Sequence, residues 1–367
     1  MALQSLIKSP TLDDEQEYLE EWTNSSRLLF YSVISISLLT LPILLLTFCY
    51  ILCRSKRNAH FLPYLCSILA ANFVLLSTIF LSVLAKNTDL VYDTIPGFLV
   101  CKISTFLVNS SSCFIYWTWV AMFAERCCNI FFPLRFRTSS SFKTAGVLCS
   151  ILIFSMSIQL WTPIFITEKR LDNHMDYIYC GEDPRYSSQT RIIIVLECLT
   201  TFFLPLILTI FADISVLTWK SSFGIDIDLV SREKISGKNS ETMKIVSTNS
   251  LKNSKKRRSN AIRQCLISST ITLFLNLPNY SLQLLDEFLN FRDSNSIQAR
   301  RIFLRIDAFV YVLYLMQFPI TPLRMFTLSK SHTRRGSILK KEIISKLQSS
   351  SKEYAYCLML TTMMELA

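Results

Sequence analysis

Seven apolar stretches punctuate the chain, at roughly 28–53, 61–85, 100–124, 144–166, 190–219, 260–290 and 302–327. Each is long enough to cross a bilayer as one helix, which takes about 20 residues. The second, third and sixth are less apolar because they carry Asn72, Asn109 and Asn276. None shows the short period-two alternation of barrel strands. Within lipid only helices and closed barrels satisfy their own backbone groups, so helices are the expectation. The pattern predicts an all-α membrane protein, a seven-transmembrane helix bundle over 28–327, preceded by a polar tail (1–27) and followed by 328–367. Residues 329–347 intersperse Ile338, Leu339, Ile343, Ile344 and Leu347 with basic residues, as in a short amphipathic helix lying on the inner leaflet.

Composition agrees with this pattern. Hydrophobic residues make up 51% of the 367 and charged ones 18%, below the quarter usual in soluble domains. The first 22 residues are acidic and lack the basic start and apolar centre of a signal peptide. The first apolar run is therefore expected to act as a signal anchor.

Charge sets the orientation. With the N-terminus outside, the inner segments 54–60, 125–143, 220–263 and 324–367 hold 26 of the 38 Lys and Arg residues, as the positive-inside rule requires. The outer segments are net acidic. The basic pI of about 9.1 thus reflects loops facing anionic headgroups and gives no reason to invoke nucleic acid. The Ser- and Lys-rich inner loop 220–259 has no apolar period and reads as mobile. It ends in Lys255, Lys256, Arg257 and Arg258, a membrane-surface or partner-docking edge.

Most of the 12 cysteines fall within the spans or at their inner edge, as small buried apolar residues do. Cys101, at the start of span three, and Cys180, midway along the 167–189 loop, sit on the oxidising side. A disulfide between them would tie that loop over the bundle; Cys198 is the rival partner. Three histidines on separate segments supply no metal spacing, and no nucleophile–base constellation can be placed, so no cofactor, metal site or enzymatic activity is expected.

Several motifs coincide with the spans. Glu125-Arg126-Cys127, followed by Phe132-Pro133-Leu134-Arg135, resembles the Asp/Glu-Arg-Tyr motif and Pro-Leu pair of rhodopsin-like (class A) G-protein-coupled receptors. Arg126 lies 25 residues after Cys101 and Pro133 seven after Arg126, the family's intervals. Leu69-Ala70-Ala71-Asn72 is similar to the family's Leu-Ala-x-x-Asp, and Phe202-Phe203-Leu204-Pro205 to its span-five Phe-x-x-Pro. Asn276-Leu277-Pro278 stands where the family has Trp-x-Pro, and Thr321-Pro322-Leu323-Arg324-Met325 resembles Asn-Pro-x-x-Tyr. The resemblance covers about residues 28–347.

The resemblance implies a plasma-membrane receptor with an extracellular N-terminus, coupled to heterotrimeric G proteins by outward movement of the sixth helix. Glu125 would hold Arg126 at rest, because an unpaired Arg in a membrane is costly. Pro205, Pro278 and Pro322 each remove a helix hydrogen bond and allow a pivot. The departures point to a divergent branch: Cys127, Asn276 and Met325 replace Tyr, Trp and Tyr, and Asp213 lies where span five usually has Tyr. Asn72, Ile115 and Thr321 are what remains of a sodium site, with too few oxygen ligands for strong sodium regulation.

For the ligand, retinal is excluded because 302–327 contains no Lys, and a biogenic amine is disfavoured because 101–124 contains no Asp or Glu. Acids in the outer loops, including Glu168, Asp172, Asp176, Glu182, Asp183, Asp286, Glu287, Asp293 and Asp307, would raise the local concentration of cations. A basic or amidated neuropeptide is the leading expectation, and an environmental small molecule in a chemosensory role the alternative; a transporter is the rival class. The same acids could instead be solvated charges pairing with Lys169, Arg170, Arg185, Arg300 and Arg301. The ligand pocket is expected at Val108, Asn109, Ser112, Asn276, Asn279, Gln283, Asp307 and Tyr311, since intramembrane polar groups turn inward. Any of these could equally be structural glue between helices. Asn24-Ser25-Ser26 is a glycosylation sequon on the outer side, Ser337 follows two arginines as a phosphorylation candidate, and phosphate there could recruit a desensitising partner such as arrestin.

Overall fold

The computed structural model describes residues 12–54, 62–87, 96–131, 141–170, 178–212, 214–215, 267, 269–289, 291 and 296–325. The inner loop 220–259, the amphipathic stretch 329–347, Pro133, Asp213 and Ser337 lie outside them. The chain divides at Pro322: residues up to it form one compact unit, and of the second only 323–325 are described.

The first unit is helical, with one two-stranded sheet. Helix α1 spans Leu12–Arg54, α2 Leu62–Asn87 and α3 Gly97–Phe131. Helix α4 covers Ser141–Ile158 and runs on through a tight turn, Gln159–Trp161, into Thr162–Phe165. Helix α5 begins at Ser187–Cys198 and continues to 212, α6 covers 269–289, and α7 is Ile297–Leu315 with helix resuming over 317–325. Six of these are long and apolar enough to cross a membrane. The described part of α6 is not among the six, because Asn276, Pro278, Asn279 and Gln283 dilute its apolar residues.

Burial is inverted relative to a soluble bundle. Only 22% of the most apolar window of α4 and 39% of that of α2 are buried. Leu46, Phe211, Phe274 and Phe309 are each 64–73% exposed, while Ser37, Thr40, Thr118, Ser155 and Asn276 are fully buried. An apolar outer surface of this extent is suited to hydrocarbon rather than water.

Helix α1 is longer than the apolar pattern suggests. It begins sixteen residues before position 28, within what reads as a solvated tail. Its acidic residues meet α7: Arg305 donates to Glu21 from Nε at 2.7 Å and from a terminal nitrogen at 2.8 Å, Arg301 pairs with Glu17, and Arg300 lies over the Tyr18 ring at 5.7 Å. Asn24 is exposed, but it sits inside this helix rather than on a free tail.

The second departure is a β-hairpin. Strands β1 (Ile166–Arg170) and β2 (Ile178–Glu182) pair antiparallel with Glu168 opposite Cys180. The β-branched and aromatic residues at 166, 167, 178 and 179 favour strands, but the span-scale pattern places a loop there. Cys180 is bonded to Cys101 at the start of α3, with a Cα–Cα distance of 5.6 Å, so the hairpin is tethered to that end of the helix. Cys198 is a free buried thiol, which removes it as the rival partner.

Prolines shape α5 and α7. Residues Leu199–Phe203 form a π-helical turn immediately before Pro205, with the Leu204 N–H bonding the Leu199 carbonyl. In that five-residue register Pro205 would donate to the Thr200 carbonyl, but proline has no N–H. The Trp117 indole of α3 supplies the missing donor, at 3.2 Å from the Thr200 oxygen. In α7 the helix is interrupted at Met316. The ring of Pro319 crowds the carbonyl four residues earlier, at Leu315, and Pro322 removes the donor to Phe318.

Candidate functional site

Below the hairpin end, α3, α5 and α6 meet on an aromatic cluster. Phe202 of α5 stacks on Tyr280 of α6 at a 4.4 Å ring separation and 8° between planes. Tyr116 of α3 meets both edge-on, at 5.5 and 6.0 Å. Leu273 is buried with them, and Phe203, Leu206 and Leu277 pack around the outside. Aromatic pairs in such geometry contribute about 0.5–1.5 kcal/mol each beyond the area they bury.

Tyr280 also forms part of the wall of a cleft of about 540 Å³, open mouth included. Five helices contribute to it: α2 through Ile79; α3 through Val108, Asn109 and Ser112; α5 through Glu197, Cys198 and Thr201; α6 through Asn279, Tyr280 and Gln283; and α7 through Tyr311 and Tyr314. The enclosed part of it is about 100 Å³, room for one small polar group and below the range of whole small-molecule sites. The lining mixes polar and apolar groups, and among the described residues it contains no Lys, Arg or His.

Of the pocket residues expected from sequence, Val108, Asn109, Ser112, Asn279, Gln283 and Tyr311 come together in this wall. Asn276 and Asp307 are not part of it. Asn276 is fully buried and donates to the Gln317 side-chain oxygen and to the Thr272 carbonyl, both at 2.8 Å. Its side chain thus ties α6 to α7, as polar groups between membrane helices do. Tyr314 interacts with both Ser112 and Gln317, so polar groups run from Ser112 in the cleft past Tyr314 and Gln317 to Asn276. Asp307 is half-buried higher on α7, beyond the lining.

Glu197 escaped the sequence reading as a cleft residue, because an acid near the end of an apolar run looks like an edge residue. Gln159 and Tyr314 escaped it too. The available signal for Glu197 was its spacing: it lies four positions before Thr201 and eight before Pro205, on the inward stripe of α5.

At the other end of α3, Glu125 is half-buried, and the Tyr64 hydroxyl of α2 is directed at its carboxylate and at the Thr144 hydroxyl of α4. Glu125 therefore has a partner other than the neighbouring Arg126, whose backbone is helical and whose side chain lies outside the described set. Asn72 donates to the Ile68 carbonyl at 2.7 Å and is buried, and Thr321 donates to the Gln317 carbonyl at 2.9 Å. Both are turned to their own helices. Among the described residues no group of three His, Cys, Asp or Glu side chains could hold a metal ion. Pro205, Pro322 and Met325 are buried, and Pro278 and Cys127 are half-buried.

Several hairpin-end charges have partners. Arg191 approaches Glu287 at 3.9 Å, and Asp183 accepts the Arg185 backbone N–H at 3.0 Å. Arg301 is engaged with Glu17 of α1. Asp172, Asp176 and Asp293 lie outside the described residues.

The sequence matches no protein-family model and no curated protein.

Proposed function

We propose that the chain is a divergent rhodopsin-like, seven-helix receptor of the plasma membrane, with its N-terminus outside, that binds an extracellular ligand and activates heterotrimeric G proteins. One observation supports this reading: a cleft lined by five helices lies toward the disulfide-tethered hairpin, at the opposite end of α3 from Glu125-Arg126. A transporter fits the same residues less well, since the acids within the helices are few.

The mechanism follows from what the cleft touches. A ligand that moves Tyr280 presses on the Phe202 stack and so on α5 and α6. One that moves Tyr314 acts through Gln317 on Asn276, two residues before Pro278. Both routes bias the tilt of α6 about its proline, and outward movement of that helix would expose Arg126 to the G protein. A ligand can drive this only to the extent that it binds the open state more tightly.

A basic or amidated neuropeptide with its terminus in the cleft remains our leading ligand. The second reading is a small environmental molecule that places one group in the same cleft. In cells carrying a promiscuous G protein, an amidated-peptide panel and a small-molecule panel should include members that raise second messenger, and Arg126→Ala should abolish the response. Solute uptake with no coupling would overturn the receptor reading in favour of a transporter.

A further inference from the structure

Among the described residues, Glu197 is the only carboxyl in the wall of the cleft. Its orientation is fixed from behind. The Gln159 amide, fully buried at the end of α4, donates to its Oε1 at 2.9 Å, and the Gln159 oxygen in turn accepts the Thr162 hydroxyl at 3.3 Å. Tyr280, Tyr311 and Tyr314 line the same cleft from α6 and α7. No basic side chain stands among the described lining residues. A carboxylate in the membrane-embedded wall of a bundle is costly without a cation beside it, and tyrosine rings add attraction for a cation placed among them. An anionic ligand would meet only repulsion here.

We propose that Glu197 is the counter-ion for an organic cation, an ammonium or guanidinium group, that enters the cleft and is surrounded there by Tyr280, Tyr311 and Tyr314. The acid comes from α5, so the absence of Asp and Glu from 101–124 does not exclude amines from this site. Gln159 is a positioning residue that holds the carboxyl toward the cavity. The cation is either a free amine or the basic end of a peptide. The inference rests on the receptor reading for its biological consequence, but it is tested by binding alone.

The full-length protein in lipid nanodiscs is titrated with phenethylamine, butylguanidine and an N-acetylated, amidated peptide ending in Arg-Phe, each against an uncharged counterpart: 2-phenylethanol, butylurea and the N-acetylated citrulline peptide. At least one cation should bind saturably and at least tenfold more tightly than its neutral counterpart. Binding of the small cations identifies a free organic cation as the source, and binding of the peptide alone identifies a peptide end. Glu197→Gln, which keeps the oxygen that Gln159 bonds, should erase the preference while leaving the unfolding midpoint unchanged. Tyr311→Leu should weaken cation binding with the carboxyl intact, which covers the case in which Glu197→Gln does not fold. Undiminished cation binding to Glu197→Gln, equal binding of the neutral counterparts, or no binding by any probe would overturn the proposal. No G protein is present, so cation binding without coupling would overturn the receptor reading alone. Coupling driven by a neutral ligand would overturn this inference alone.

Discussion

Replacing Trp117 with Phe should destabilise the bundle in proportion to one helix carbonyl left without a donor. Pro205 cannot supply an N–H to the Thr200 oxygen, and the Trp117 indole takes its place at 3.2 Å. A buried acceptor stripped of its partner costs about 1–3 kcal/mol, toward the lower end within a bilayer, where alternative partners soften the loss. The smaller ring also weakens the edge-on contact with Phe154, now at 5.3 Å between centroids, by a further ~0.5–1 kcal/mol. The proline makes the carbonyl term separable. In a Pro205→Ala background the restored N–H can bond within α5, so the indole is no longer needed there. Trp117→Phe should then cost about 1 kcal/mol less than in the parent, a coupling well above the usual error of such cycles. Unfolding can be followed in detergent by maleimide capture of Cys113 and Cys198, both buried, after the exposed thiols are blocked. Equal costs of Trp117→Phe in the two backgrounds would refute the idea that the indole substitutes for the missing donor.

Cys101→Ser and Cys180→Ser should each destabilise by about 4 kcal/mol on the chain-entropy estimate for a separation of 79 residues, and the double variant should cost no more than either alone, as read by thermal unfolding. Asn276→Leu should cost about 1–2 kcal/mol because it leaves the Gln317 side chain without its α6 partner, and Gln317→Leu added to it should recover much of that loss, since two apolar groups replace a buried polar pair whose Asn276 oxygen already lacks a donor. Arg305→Ala, by contrast, should lower stability by under about 1 kcal/mol and the loss should shrink in high salt, because Arg305 is 65% exposed and surface pairs are weak.

The parts of this architecture legible in the sequence are those set by short-range pattern. Apolar runs of bilayer length place α1 to α5 and α7, because the backbone in lipid has no alternative to closing its own hydrogen bonds. Asn109 and Ser112 lie three apart on α3, and Asn279 and Gln283 four apart on α6, so each pair shares a helix face, and those faces meet in the cleft. Long-range pairing was not legible. Residues 12–27 read as a solvated acidic tail because Arg301 and Arg305, their partners, lie nearly 300 positions away. The π-helical turn in α5 depends on a tryptophan from another helix. Glu197 looked like an edge residue, since only the tertiary fold brings Gln159 against it. Asn276 and Asp307, grouped with the pocket by depth and polarity, diverge because rotation about the helix axis, not depth, decides which side chain reaches a cavity.

Under the proposed function, this bundle converts ligand binding into guanine-nucleotide exchange. The most direct measurement is exchange on purified heterotrimeric G proteins added to vesicles containing the full-length chain, with Arg126→Ala vesicles in parallel. Exchange should rise with ligand occupancy of the wild-type cleft and be lost in Arg126→Ala despite unchanged ligand binding. Ligand-saturated wild-type vesicles that leave exchange by every G-protein class at its basal rate, or that transport the ligand inward instead, would contradict it.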